Sequence, residues 1–398
     1  MMVDAYKPYV SGVTHQVELS KAALEKAGHE VYIFTFGRDE DADDEPRVIR
    51  SPGLALADTK VYLSLRYSRA AKKLLQTMDV VHVHHPFISG RLALRYCRSP
   101  KIPVVFTNHT RYDVYPHTYL PILPEEMGQS LLRAYMPDFC AAVELVTTPS
   151  AGMEQVLRDM DVTSRIEVVP NGVDVRTLRA AKPLPRAQFG WSQQDILLVY
   201  TGRIAPEKNI SFLLQSFAGV ARALPHVHLL LIGGGFKQFE DDLHESISDL
   251  GIANRVRLTG MIPYEAIPSY LAMCDIFVIT STAESFGMST VEAMSKGLPV
   301  VGIRATGTSD IVEEGKTGLL SEENIAEYTA ILTRMCMDDS LRKQMGAAAH
   351  TAAAKYDIDR VTKIMLGHYK RLKENTQPVK QRLDERLMTV LKEFFNEA

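Results

Sequence analysis

Two glutamates stand in the run Thr280-Ser-Thr-Ala-Glu284-Ser-Phe-Gly287-Met-Ser-Thr-Val-Glu292-Ala-Met-Ser-Lys-Gly297, directly after the apolar segment Cys274-Asp-Ile-Phe-Val-Ile279. The apolar segment reads as a buried parallel strand, and the run as a loop that opens a short helix stopping at Gly297. The first amides of such a helix lack partners within it and lie at the positive end of its dipole. The backbone around Gly287, Met288 and Ser289 therefore offers an anion site, and Gly287 lets a second group approach it closely. Upstream, Arg203 and Lys208 stand in Thr201-Gly202-Arg203-Ile-Ala-Pro-Glu-Lys208-Asn209, between a strand Asp195–Tyr200 and a helix Ile210–Ala223. A guanidinium grips phosphate with two donors and an ammonium adds a point charge. Phosphate held by amides and cations, with carboxylates free to accept hydroxyl hydrogens, fits a sugar nucleotide. The plainer readings are an acidic loop with an ordinary helix start, and a surface arginine and lysine.

In the first half of the chain, the strand Pro103-Val-Val-Phe-Thr delivers His109 at its carboxyl end, where ligands sit in open α/β sheets. The segment that follows, Arg111-Tyr-Asp113-Val-Tyr-Pro-His117-Thr-Tyr119-Leu-Pro121, is aromatic and polar, unlike a simple connector. Another strand ends in His82-Val-His84-His85-Pro86. His82 and His84 share a strand face, but no cysteine or glutamate cluster accompanies them, so zinc is the weaker reading. Asp39-Glu-Asp41 lies in an acidic run that reads as a solvated loop, not a metal motif.

Glu284 and Glu292, with seven residues between them and Phe286-Gly287 inside, resemble the Glu-x7-Glu signature of retaining glycosyltransferases of family 4 (glycosyl transferases group 1), which have the GT-B fold. Arg203 and Lys208 resemble that family's phosphate clamp. His84-His85-Pro86 is similar to a cleft-lining family segment, and the stretch from His109 to Pro121 resembles the branch that glucosylates diacylglycerol. The resemblance implies an α/β chain of two doubly wound Rossmann-like domains facing a cleft, with a C-terminal helix crossing back to the first. It implies catalytic roles for His109, Glu284, Arg203 and Lys208. Gly12, Gly202, Arg257, Leu258, Phe286, Gly287, Met288, Ser289 and Glu292 would complete the donor site, Glu292 on the ribose. His85, Tyr112 and His117 would lie on the acceptor side. No metal and no cofactor is expected. The implied reaction moves a hexose, glucose as the expected sugar, from a UDP-sugar to a membrane lipid such as 1,2-diacylglycerol, with retention. Alternatives are a soluble acceptor (inositol, malate or a sugar), a nucleotide-sugar epimerase, and a non-catalytic nucleotide-sugar-binding protein. An epimerase would act on donor alone; a non-catalytic relative would be expected to lack Glu284, Arg203 or His109.

Strand–helix alternation runs through both halves, with a break at Pro170-Asn-Gly172-Val-Asp174 and a proline pair in Ala180–Pro185. The expected units are residues 1–172 (acceptor side), 173–357 (nucleotide sugar) and 358–398 (crossover helix and amphipathic tail). Val3–Pro8 reads as the end of a first strand shortened at its start, followed by a helix Gln16–Ala27 that stops at Gly28. Lys60–Gln76 predicts a helix with Arg66, Arg69, Lys72 and Lys73 on one face, either a solvated face or one lying on anionic lipid. Val379–Phe395 is a further amphipathic segment, its default a docking on the protein itself.

Composition sets the outer limits. The 398 residues allow two domains, and 46% hydrophobic with 23% charged residues is ordinary for a globular chain. A net charge of −3 gives no global pull toward nucleic acid. Four cysteines without a CxxC pair fit a reducing cytoplasm. No apolar run reaches the roughly 20 residues of a membrane span, and Asp4 and Lys7 interrupt any leader. The expected location is cytoplasmic, with peripheral attachment to the inner membrane face as the lipid-acceptor variant.

Overall fold

Runs of valine, isoleucine and leucine without polar alternation become parallel strands covered on both faces. In the computed structural model, which describes residues 1–9, 11–38, 45–55, 62–114 and 125–375, Ile196–Thr201 and Ile276–Ile279 are buried at every position. They pair side by side at the centre of a six-stranded sheet. Its order is Val256–Leu258, Val227–Ile232, Ile196–Thr201, Ile276–Ile279, Val300–Ile303 and Gly318–Ser321, parallel throughout. Helices on the two faces close two cores. One is built on Phe217, Leu213 and Tyr328, the other on Val291, Met294 and Tyr356.

The first half repeats the plan. Val81–Val83, Val104–Thr107, Leu145–Thr148 and Ile166–Val168 pair in that order, all parallel, while Ile33–Phe36 pairs with Val48–Ser51. Met2 joins the two sets, bridging Phe34 on one side and Val83 on the other. The sequence predicts a strand end over Val3–Pro8, but only Met2 makes the bridge. Asp4 has turned away, and its carboxylate accepts from the Ser89 amide at 2.7 Å and hydroxyl at 2.5 Å.

Two helices differ from expectation because of their caps. The first spans Gly12–Lys26, starting four residues before the expected Gln16, because Ser11 Oγ accepts from Thr14 N at 3.1 Å. The basic helix is only Arg69–Leu75, started by Ser68, whose side chain accepts from Ala71 N at 3.2 Å. Arg66 lies ahead of it in a bend, and Tyr62–Leu63 is a short strand paired antiparallel with Leu54–Ala55. Leu65 is 84% exposed, not directed inward. The acidic run 39–44, residues 60–61, the segment carrying His117 and the tail Val379–Phe395 lie outside the described residues.

The chain passes between halves at two adjacent points. Val173 N donates to Tyr356 O at 3.0 Å and Ile358 N to Val173 O at 2.9 Å. Gly172 has no room for a side chain there, since a Cβ would lie 2.9 Å from Ile358 Cα. The last helix, Ile358–Asn375, then lies back on the first half. Lys26 Nζ reaches Asp359 at 2.7 Å, and Tyr369 OH and His82 Nδ1 are 2.6 Å apart.

Candidate active site

The order of the second sheet reverses between Ile196–Thr201 and Ile276–Ile279, and ligands in open α/β sheets bind at the carboxyl ends of such a pair. The loops leaving these two strands are stitched together. Thr280 Oγ1 donates to the carbonyls of Lys208 and Asn209 at 3.0 and 3.1 Å, and Ser281 Oγ to that of Glu207 at 3.1 Å. Lys208 Nζ consequently meets Glu284 Oε1 at 2.6 Å, the two side chains only 16% and 15% exposed. Gly287 follows with φ +93°, a left-handed cap that only glycine adopts freely, and opens the helix Met288–Ser295. A neighbouring pair of loops is in contact backbone to backbone, since a Cβ on Gly233 would fall 1.9 Å from Gly202 O.

Glu292, on the second turn of that helix, is 4% exposed. Burial raises its carboxyl above the usual range, opposed by Tyr264, whose OH donates to Oε1 at 2.7 Å. The Tyr264 ring in turn lies tilted against His15 of the first half, ring centres 4.0 Å apart. The carboxylate of one half is thereby coupled to a side chain of the other.

Across the cleft the chemistry is neutral. His84 Nδ1 and His109 Nε2 lie 2.9 Å apart, and His82 stacks on His84 with ring centres at 4.2 Å. Thr107 and Tyr369 each meet a nitrogen of His82 at 2.6 Å. Burial, then mutual repulsion, drives His82 and His84 well below their ordinary values. His109 falls to about 3 through burial and then His85, against Asn171. All three are uncharged imidazoles at neutral pH.

The model of the Glycosyl transferases group 1 family matches residues 182–352, and that of Glycosyltransferase Family 4 matches residues 10–177. An alpha-monoglucosyldiacylglycerol synthase of Streptococcus pneumoniae is 30% identical over 315 residues, 76% of this chain and 70% of its own. A D-inositol 3-phosphate glycosyltransferase of Frankia alni is 30% identical over 304 residues, 73% of this chain and 74% of its own. The solved structure of Anabaena HepE in complex with UDP-glucose superposes with a TM-score of 0.72 at 19% identity, covering 93% of this chain and 99% of that one. The chain is a family 4 glycosyltransferase.

The transferase brings together Lys208, Glu284, Gly287 and Glu292 around one helix start, with Ser289 in its first turn. Several other expected site residues have side chains engaged with neighbours. Arg203 is 71% exposed and turned to Glu207 at 2.8 Å, a partner four residues away that competes for it locally. Phe286 is 2% exposed and packs edge-on against Tyr356 at 5.4 Å, so its ring belongs to the core; Met288 packs against the same core. Tyr112 is likewise 1% exposed, its ring against Phe87 at 5.2 Å. Arg257 lies on the exposed edge strand with its guanidinium 5.9 Å from the Phe189 ring centre, and Leu258 packs against the core beside it. His85 Nδ1 accepts from Asp4 N at 3.2 Å. Gly12 begins the first helix with open space around it. Among the described residues no group of three or more histidines, cysteines or carboxylates is placed to hold a metal. Sequence reasoning missed Tyr264 and His15, which meet from opposite halves and leave no spacing to read.

Proposed function

We propose that the enzyme transfers glucose from UDP-glucose to a membrane lipid of the 1,2-diacylglycerol class with retention at the anomeric carbon, using neither metal nor organic cofactor. The observation that carries this is the Lys208–Glu284 pair at the switch point, beside a helix start that supplies amides. Lys208, Arg203 swung from Glu207, and the amides of Gly287 to Ser289 stabilise the diphosphate as it departs, where charge develops. These groups fill the role a divalent cation has elsewhere. Glu284 accepts from sugar hydroxyls and Glu292 from the ribose. His109 lies against the sugar from the other half, and its neutrality matters, because a cation there would oppose the positive charge growing on the anomeric carbon. The leaving phosphate takes the acceptor's proton on the same face, so no carboxylate acts as nucleophile. Closure of the two halves excludes water from the donor.

Support for the donor is the UDP-glucose named with the Anabaena structure, and for the lipid the name of the Streptococcus relative. Leu54 and Leu65, 76% and 84% exposed, accompany Arg66, Arg69, Lys72 and Lys73, an apolar tip with cations suited to an anionic membrane face. No helix of the described residues is long and apolar enough to cross a membrane. The proposed attachment is peripheral, by that basic face to the inner leaflet. A soluble acceptor is the second reading, favoured by the equal identity to the inositol-phosphate enzyme.

A panel of nucleotide sugars, read by release of nucleoside diphosphate with and without lipid extract, tests both readings. UDP-glucose with diacylglycerol should give the largest lipid-dependent release, and anionic liposomes should co-sediment the protein. Release that depends on a polar acceptor, with no liposome binding at low salt, would favour the second reading.

A further inference from the structure

Asp310 touches both halves at once. Its carboxylate accepts from the Gly152 amide at 3.1 and 3.2 Å and from the Gly307 amide at 3.1 Å. Gly152 is in the first turn of Ala151–Asp159, a helix of the first half, so an acid from one half caps a helix of the other, where the dipole favours it. A second link runs alongside: Ser150, the cap residue of that helix, donates Oγ to the carbonyl of Ser285 at 3.1 Å, next in sequence to Glu284.

The fit is tight on both sides of the carboxylate. A Cβ on Gly152 would lie 2.7 Å from Asp310 Oδ2 and 2.9 Å from Thr306 Cγ2. One on Gly307, at φ +81°, would lie 2.8 Å from both Cβ and O of Glu284. An unbroken line of contacts therefore runs from the helix start of the first half through Asp310 and Gly307 to the backbone of Glu284, and from its side chain to Lys208. The half that presents the acceptor holds the loop that carries the donor-side carboxylate.

We propose that Asp310 is a positioning residue that couples closure of the two halves to the seating of Glu284. The inference rests on the donor site assigned above. With the halves apart, the Asp310 carboxylate loses the Gly152 amide and the Ser285 carbonyl loses Ser150, so the Glu284 loop is held from one side only. Productive geometry is then reached only when the acceptor-bearing half is in place, which limits reaction of the donor with water.

Three variants test this on the full chain. Gly152→Ala obstructs the contact from the half without the donor site, Asp310→Asn keeps shape without charge, and Asp310→Ala removes both. Calorimetric affinity for UDP should stay within about twofold, because the diphosphate contacts are untouched. Turnover of UDP-glucose to lipid should fall about tenfold or more in Gly152→Ala and Asp310→Ala, and less in Asp310→Asn. Hydrolysis should rise relative to transfer, and the contraction expected of the wild-type enzyme in small-angle X-ray scattering on adding donor should be absent. Wild-type turnover in Asp310→Ala, or a slowed Asp310→Ala that still contracts, would overturn the proposal, as would loss of UDP affinity in step with turnover. If Gly152→Ala melts early, the two Asp310 variants decide alone. A wild-type enzyme that neither binds UDP nor transfers glucose would instead overturn the functional reading.

Discussion

The two sides of the cleft solve opposite electrostatic problems. The second half keeps full charges, Lys208 and Glu284, neutralising each other at 2.6 Å in a setting about one-sixth exposed. The histidine cluster of the first half carries none: His82, His84 and His109 are buried against one another and held uncharged. In the proposed mechanism, charge is retained where a leaving group must be caught, and withheld where a cationic centre is to form. Neither side could do the other's work.

The comparison breaks most decisively at Lys208. Lys208→Ala should lower transfer turnover by roughly 10²–10³, the scale for losing one preorganised donor to developing charge, measured by UDP release with lipid acceptor. Arg203→Ala should lose less, because this side chain must first leave Glu207. Turnover unchanged in both would mean that the charged half is not the catalytic one.

Next in size is the response to acid. Below about pH 6.5 the unfolded chain takes up protons that the buried imidazoles refuse, so stability falls as pH falls, and is fully present above that value. Each histidine contributes up to about 1.4 kcal/mol per pH unit to this decline. Denaturant unfolding at pH 7.5 and 5.5 should show it, and His84→Gln, which cannot titrate, should flatten the slope. Turnover, in contrast, should show no inflection near pH 6.5 assignable to His109, whose own value is about 3. An inflection that vanishes in His109→Gln would reverse the assignment of neutrality.

The smallest effect belongs to Tyr264. Tyr264→Phe removes the donor to Glu292 Oε1 and should raise the KM for UDP-glucose about five- to tenfold with kcat nearly unchanged, since Glu292 is proposed to hold the ribose and not the reacting atoms. A fall in kcat at constant KM would place Glu292 in the chemical step.

How far the chain could be read in advance follows from where each signal lies. Ile196–Thr201 and Ile276–Ile279 were legible because strands buried on both faces carry continuous apolar runs. Lys208 and Glu284 were legible because strand ends of this kind are where ligands bind. The burial of Phe286 and Tyr112 was not legible, since an aromatic inside a polar loop gives no local sign that Tyr356 or Phe87 will bury it. The basic stretch misled for a different reason: Ser68 starts the helix later than the charge spacing implies, and Arg66 falls outside it. Tyr264 was invisible, because its meaning arises only when His15 arrives on a helix of the other half.

The hydrogen bond between Tyr369 and His82 bears on how such enzymes can be recombined. A hybrid that joins the first half of this chain to the second half of a relative at Val173 would import a foreign final helix, and with it a foreign neighbour for the imidazole stack. Residues 358–375 should travel with residues 1–172 in any exchange of parts, although the whole donor lobe lies between them in sequence. Modularity here is a matter of space, and the seam has two stitches.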